Sequence, residues 1–296
     1  MKTVGYIGLG QMGGGMALNL LKNIGDIYVY DPFPAAMKPL TDAGAKPLSS
    51  AAEMARTCDL IFMCLPCDPE VRDVIFGADG IASVAPKGLT IVDTTTLDRT
   101  DAQKFHAETA AIGIDYWDCP VSGLPFRAHD GTLTIMFGGT DKAFAEVETY
   151  LNGFATTVIH CGPIGCGQAM KAINNIIYDI NIAALSEVLP LAVAVGLDPE
   201  QLASLTTTGS SRSFASEHFV PRMIARRFSD DFTMTGAFKD IVNVQRMADE
   251  TGAKTPVVNA MVGSYQAAID AGYGEEPKSA MLKVYESVLG VKFQKK

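Results

Sequence analysis

The sequence has no surplus of positive charge: 24 Lys and Arg face 33 Asp and Glu, a formal charge of -9 over 296 residues. A dispersed acidic surface repels phosphate backbones, which argues against nucleic acid as a partner. No apolar run approaches the ~20 residues of a bilayer span. The opening MKTVGYIGLG has neither the basic region nor the small-residue cleavage site of a secretory leader. The expectation is a cytoplasmic protein without membrane contact. Zinc-type spacing is missing too. Cys64-Leu65-Pro66-Cys67 is formally a C-x-x-C, but it follows the buried-strand run Leu60-Ile61-Phe62-Met63 instead of opening a helix. Cys161 and Cys166, with His160, have no second half. All six cysteines are expected to be free thiols, with no metal. His106, His129, His160 and His218 have no evident Asp or Ser partner and are given no catalytic role.

What is present is a globular composition, 48% hydrophobic and only 19% charged, which excludes a disordered chain and allows a sizeable core. The length fits one large domain or two ordinary ones. Short apolar runs alternate with helical patterns through the first half. Strands are predicted at Thr3–Ile7, Ile27–Tyr30, Asp59–Cys64, Thr90–Val92, Tyr116–Asp118, Leu133–Phe137 and Thr157–Ile159. Helices are predicted at Met12–Leu21, Pro34–Asp42, Arg99–Ala111 and Asp141–Leu151. Such βαβ alternation implies a mostly parallel, doubly wound sheet with helices on both faces, an α/β fold. After Gly162-Pro163 only helical patterns continue, beginning with a long apolar run over Ala169–Val195 that Pro190 is expected to kink or break. The predicted organisation is therefore a dinucleotide-binding domain over 1–163 and an all-helical domain over 164–296. A helix so apolar all round needs burial, partly against a second subunit, which predicts a homodimer or homotetramer.

Gly8-Leu9-Gly10-Gln11-Met12-Gly13 is a G-x-G-x-x-G placed directly after a strand and before a helix. The first glycine permits the tight turn, the second lets backbone approach a pyrophosphate, and the third lets helix and strand pack closely. The helix N-terminus adds N–H donors and a favourable dipole. Asp31 ends the second strand about 20 residues on, where a carboxylate accepts ribose hydroxyls. That acid disfavours the extra phosphate of NADP, and Asp31-Pro32-Phe33-Pro34 offers no Arg to neutralise one, so NAD is the expected cofactor and NADP the lesser candidate. Asp31 also fits a plain turn former before Pro32.

Six strings, in order along nearly the whole chain, resemble the β-hydroxyacid dehydrogenase family, which includes 3-hydroxyisobutyrate dehydrogenases and tartronate semialdehyde reductases. GLGQMGGGMALNLL is similar to its cofactor turn and first helix. Cys64-Leu65-Pro66 is similar to the strand end that skirts the cofactor, and Asp93-Thr94-Thr95-Thr96 resembles its D-x-S-T element. DCPVSGLPFRAHDGTLTIMFGG resembles the substrate loop, GPIGCGQAMKAINN the catalytic helix, and Phe232 with Lys239-Asp240 the F…KD element. The resemblance implies cofactor contacts from Leu65, Pro66, Thr96 and Lys239, and a substrate carboxylate held by Ser122 and Gly123. It departs from the family at Leu124, where a second glycine is usual, so Leu124 adds bulk and restricts backbone angles there.

Lys171 and Asn175, four residues apart, share one helix face. A lysine among Ala169, Met170, Ala172, Ile173, Ile176 and Ile177 either snorkels to solvent or is desolvated, and desolvation lowers a lysine's pKa toward neutrality. By resemblance Lys171 is the general acid/base for the substrate oxygen and Asn175 orients the substrate. Thr96 alternatively caps the next helix. Arg212, in Gly209-Ser210-Ser211-Arg212-Ser213, fits either a second substrate carboxylate or a solvated loop. The resemblance implies an NAD-dependent oxidoreductase interconverting a small 3-hydroxy acid and its semialdehyde or keto acid. An imine reductase on this scaffold is an alternative that Lys171 disfavours, and a 6-phosphogluconate-type enzyme requires a longer helical domain. A non-catalytic dinucleotide-binding interaction protein is the alternative from another class.

Overall fold

The computed structural model describes residues 2–84, 88–229 and 232–295, with the Lys239 side chain also outside the described part. It falls into two compact units, Met1–Lys171 and Ala172–Lys296. The first contains β1 Val4–Ile7, α1 Gly13–Ile24, β2 Tyr28–Tyr30, α2 Pro34–Asp42, β3 Lys46–Pro47, α3 Ala51–Thr57, β4 Leu60–Met63 and α4 Asp68–Phe76. It continues with β5 Thr90–Asp93, α5 Arg99–Ala110, β6 Asp115–Asp118, β7 Val121–Ser122, α6 Leu124–Asp130, β8 Leu133–Gly138, α7 Asp141–Leu151 and β9 Ala155–Gly162.

These strands form one sheet in the order β3-β2-β1-β4-β5-β6-β8-β7, with β9 paired to β8. Pairing is parallel from β3 to β6 and between β8 and β9. Strand β8 runs antiparallel to β6 and β7. The period of two along each strand builds two cores, one on each face. Tyr6, Phe62, Val92 and Trp117 enter one, packed by Met16, Leu20, Val147 and Leu151 of α1 and α7. Ile7, Ile61, Met63, Ile91 and Tyr116 enter the other, packed by Met54, Val71, Ile75 and Phe105 of α3, α4 and α5. The expected mostly parallel, two-faced architecture is therefore present. Helices α3, α4 and α6, which the sequence pattern did not reveal, fill out the connections.

Helix α8, Cys166–Ala194, starts in the first unit and runs on into the second. There it is joined by α9 Pro199–Thr208, α10 Phe214–Ile224, α11 Met234–Thr251, α12 Pro256–Ala268 and α13 Leu282–Leu289. Among the described residues the second unit has helical structure and one isolated bridge, Thr233 to Pro277. Two of its cores lie against α8. Ile176 and Ala183 pack with Ile241, Met261 and Tyr265, whereas Ile182, Leu185 and Leu189 pack with Phe219, Val220 and Met223.

Two expectations need correction here. Of the kink or break expected at Pro190, the break is absent: helix α8 continues to Ala194, and buried contacts such as Leu189 hold the turn that lacks one hydrogen bond. By length and composition α8 is also long and apolar enough to cross a membrane. The count of unbroken apolar residues missed this, since Asn174, Asn175, Asp179 and Glu187 interrupt the run. Asp179 is nevertheless 1% exposed. Its Oδ1 accepts from Lys278 Nζ at 2.6 Å and from Tyr265 at 3.0 Å, which ties α8 into the helical core.

Candidate active site

The loops that leave the C-terminal ends of β1, β2, β4, β5 and β6 carry most of the residues singled out in the sequence. In this topology β2 lies on one side of β1 and β4 on the other, the switch point where open parallel sheets take their ligands. The three glycines after β1 have different physical reasons to lack a side chain. Gly8 has φ +86, and a Cβ there would come 2.3 Å from the Cys64 carbonyl oxygen. Gly13 opens α1 so close to the strand that its Cβ would lie 1.9 Å from the Gly8 oxygen. Gly10 faces open space, with nothing within 4 Å of an added Cβ. Helix α1 has neither a side-chain cap nor an acid in its first turn, so its N-terminal amides and dipole are available to an anion. Leu9, Gln11 and Met12 lie between these glycines.

Asp31 follows β2 and is 8% exposed. Its Oδ2 accepts from Leu9 N and its Oδ1 from Phe33 N, both at 2.8 Å. The turn-former role is thus present, and the same carboxylate fixes the glycine-rich turn from below. Each oxygen keeps a lone pair for a ligand hydroxyl.

The ends of β4 and β5 are stitched together. Leu65 N donates to Thr95 Oγ1 at 2.9 Å, and Thr94 Oγ1 donates to the Met63 carbonyl at 2.6 Å. Pro66 is exposed beside Leu65. Thr96 is half-buried, and among the described residues its hydroxyl has no partner. The cap of α5 is Asp98, which accepts from Thr100 N, so the capping alternative for Thr96 falls away. Burial pushes the Cys64 thiol up to about 11, away from the thiolate form that reactive cysteines use. Cys67 donates to Glu70 Oε2 at 2.6 Å, and all six cysteines are free.

Two buried aspartates, neither assigned a role from sequence, organise the adjoining strand ends. Asp93 accepts from Tyr116 Oη at 2.7 Å and from Thr95 N at 2.9 Å. Asp118 ends β6 and sits at the N-terminus of α8, where it accepts from Gly165 N and Gln168 N, both at 2.7 Å. Burial raises both carboxyl groups to about 6, against the pull of these hydrogen bonds toward lower values. The first turn of α8 is tight enough that a Cβ on Gly167 would lie 2.4 Å from the Met136 oxygen and 2.7 Å from Asp118 Oδ2. The glycines of Gly165-Cys166-Gly167-Gln168 were the available signal for this close approach.

Gln168 is 1% exposed. Its Oε1 accepts from Leu97 N at 3.0 Å, and its Nε2 donates to the Thr95 oxygen at 2.7 Å. Lys171 lies three residues further along α8 and is half-buried; Asn175, one turn beyond it, is also half-buried. Ser122 ends β7 and is half-buried, followed by Gly123 at φ +146 and Leu124 at φ +57. Leu124 thus occupies the left-handed region that its usual glycine counterpart enters freely, a strain of about 1–2 kcal/mol. Lys239 lies on α11, with its side chain outside the described residues. Arg212 pairs with Glu217 at 2.5 Å on the exposed lead-in to α10, which favours the solvated-loop alternative.

Comparison with known proteins adds an independent finding. Residues 3–162 match the family model described as the NAD binding domain of 6-phosphogluconate dehydrogenase. Residues 165–285 match that described as the NAD-binding of NADP-dependent 3-hydroxyisobutyrate dehydrogenase. A probable mitochondrial 3-hydroxyisobutyrate dehydrogenase of Dictyostelium discoideum is 38% identical over 220 residues, covering 74% of this chain and 68% of its own length. The 2-(hydroxymethyl)glutarate dehydrogenase of Eubacterium barkeri is 33% identical over 289 residues, 97% of this chain and 96% of its own. Among solved structures, 3-hydroxyisobutyrate dehydrogenase from Salmonella typhimurium superposes with a TM-score of 0.86 at 27% identity, covering 95% of this chain and 99% of its own. An imine reductase from Pseudomonas sp. lies further off, with a TM-score of 0.62 at 20% identity, and shares the fold alone.

Proposed function

Because the chain belongs to the β-hydroxyacid dehydrogenase family, we propose that it moves a hydride between a nicotinamide dinucleotide and a small 3-hydroxy acid or its semialdehyde. The observation that carries this reading is the placement of Lys171. It stands one turn beyond a helix start held by Asp118, while Gln168 joins that start to the turn containing Thr96. The same sheet edge carries the glycine-rich turn and Asp31.

Residues 1–163 are read as the dinucleotide-binding domain and 164–296 as the substrate and assembly domain. The open space at Gly10, the uncapped α1 N-terminus and the Asp31 carboxylate fit a dinucleotide. Backbone amides of Gly10, Gln11 and Met12 would hold the pyrophosphate, and Asp31 the ribose hydroxyls. Asp31 repels a ribose phosphate and therefore favours NAD over NADP. Leu65, Pro66, Thr96 and Lys239 are assigned to the nicotinamide end. When bound, the nicotinamide supplies the hydride acceptor or donor. Ser122 and the Gly123 amide hold the substrate carboxylate, Asn175 orients the substrate, and Lys171 takes or gives the proton at the hydroxyl oxygen.

Lys171→Ala should lower turnover by about 10²–10⁴-fold while leaving NADH affinity nearly intact. Lys171→Arg should not rescue it, since guanidinium holds its proton near neutral pH. Steady-state absorbance of NADH with a panel of 3-hydroxy acids, paired with fluorescence titration of NADH and NADPH, tests both points. Retention of more than a tenth of wild-type turnover by Lys171→Ala would remove the acid/base role. Tighter binding of NADPH would remove the Asp31 argument.

Assembly belongs to the same reading. Ile173, Ile177, Val188 and Leu191 leave one face of α8 exposed, at 45%, 58%, 48% and 49%. A second copy of the chain would cover such a face. Light scattering at micromolar concentration should return a dimer or larger mass.

A further inference from the structure

We propose that Gln168 is a positioning residue of the reaction, one that fixes Lys171 relative to Thr96. The inference rests on the functional reading above. Its basis is the unusual use of one side-chain amide. The Thr95 carbonyl and the Leu97 N–H belong to the two peptide groups that flank Thr96. Gln168 accepts from the second at 3.0 Å and donates to the first at 2.7 Å. The amide therefore behaves as a neighbouring strand's peptide group would, pairing on both sides of one residue and locking the backbone there. Its own backbone N–H is held by Asp118 Oδ2 at 2.7 Å, so neither end of the bridge is free to slide.

Lys171 follows at i+3, on the adjoining ridge of the same helix. Any rotation or axial slip of the first turn of α8 moves the Lys171 side chain relative to the Thr94–Leu97 turn. A buried side chain whose only task was to fill space would be apolar, because burying an amide costs free energy unless every polar atom is paired. Here both amide atoms are paired, and the pairing defines one geometry. Proton exchange and hydride movement both need reacting atoms within narrow limits, and a displacement near 1 Å costs about 10²-fold.

Two substitutions test this. Gln168→Met keeps the volume and removes the bridge. It should lower kcat by roughly 10–100-fold, with KM for the hydroxy acid and the NADH dissociation constant within about threefold of wild type, a split that general loosening would not give. Gln168→Glu is nearly isosteric. Ionised, it turns two acceptors toward the Thr95 oxygen and Leu97 N–H and repels the former. Protonated, it again offers one acceptor and one donor. Burial raises its pKa, as does the facing Asp118 carboxylate, with Asp93 bonded to Thr95 N close by. The ratio of its kcat to that of wild type should therefore rise at least about fivefold between pH 8 and pH 5.5. The ratio at each pH removes what the two proteins share and leaves the ionisation that the substitution introduces, together with its coupling to Asp118.

A Gln168→Met kcat within threefold of wild type, or a Gln168→Glu ratio that stays flat or falls as pH drops, overturns the inference. If Gln168→Met does not fold, the Gln168→Glu ratio decides alone. A wild-type protein that oxidises no 3-hydroxy acid with NAD refutes the functional reading itself. A fully active wild type whose variants match it refutes only the role of Gln168.

Discussion

Paired alanine substitutions at Gly10 and Gly13 separate what the glycine-rich turn does for the fold from what it does for a ligand. At Gly13 an added Cβ would sit 1.9 Å from the Gly8 carbonyl oxygen and 3.0 Å from its carbon. Restoring ordinary contact requires α1 to move away from β1 by about 1.5 Å, and both elements are buried in the same core. Overpacking of this kind costs about 1–3 kcal/mol. For a unit of this size that is roughly 2–12 °C in Tm. At Gly10 nothing lies within 4 Å of the added Cβ, and the backbone is outside the left-handed range. Alanine there should leave the fold unchanged or stabilise it by about 0.4–1 kcal/mol through the unfolded chain. The methyl group would, however, stand where backbone has to approach a pyrophosphate, so NADH affinity should fall at least about tenfold, or ~1.4 kcal/mol. Differential scanning calorimetry and NADH fluorescence titration on both variants give the two readouts. Wild-type NADH affinity in a folded Gly10→Ala protein would show that the pyrophosphate does not pass Gly10. An unchanged Tm in Gly13→Ala would show that the helix–strand contact tolerates the shift.

Two further predictions concern buried charge. Lys278 and Asp179 pair at 2.6 Å with side chains 9% and 2% exposed, and Tyr265 donates to the same carboxylate oxygen. Lys278→Met should cost about 3–5 kcal/mol by leaving the carboxylate unpaired, and Asp179→Leu in the same protein should recover most of it; urea unfolding that finds the double variant as weak as the single one would refute this. For Asp118, whose carboxyl is raised from 3.8 to about 6 in the folded chain, the folded state binds the proton more tightly. Its contribution to stability is complete below pH 3.8 and is lost as pH rises through about 6. The unfolding free energy of wild type relative to Asp118→Asn should thus fall by up to ~1.4 kcal/mol per pH unit across that window, and parallel curves for the two proteins would refute the assignment.

Elements with strong terminal signals were legible in the sequence. Helix α2 starts at Pro34 and α7 follows the Thr140 cap, and both have the bounds that the pattern predicts. The strands of the parallel sheet were found because burial on both faces makes them nearly continuous apolar runs. Helices α3 and α6 escaped notice because seven residues give too few turns for a period to emerge. Helix α6 is further disguised, since Ser122-Gly123-Leu124-Pro125 reads as turn material. Glycine-turn chemistry was local and therefore readable. The roles of Asp118 and Gln168 were not, because their partners lie 47, 50, 71 and 73 residues away. Only the sheet order brings those residues together.

The three aspartates at strand ends show how the fold turns that order into a site. Asp31 at the end of β2, Asp93 at the end of β5 and Asp118 at the end of β6 each accept from two donors. Each grips a loop that leaves the same sheet edge: Asp31 the glycine-rich turn through Leu9, Asp93 the threonine turn through Thr95, and Asp118 the start of α8 through Gln168. Gln168 then returns to Thr95 and Leu97, so the chain of bonds Tyr116–Asp93–Thr95–Gln168–Asp118 closes on β6, where it began. Strand positions in a sheet are fixed by ladder hydrogen bonds and core packing, whereas loops ordinarily are not. Tying each loop to a rigid strand end through a buried carboxylate transfers that rigidity to Thr96 and Lys171. The burial that lifts Asp93 and Asp118 to about 6 is the energetic cost of holding them there, and it is spent on geometry at the residues that the proposed chemistry uses.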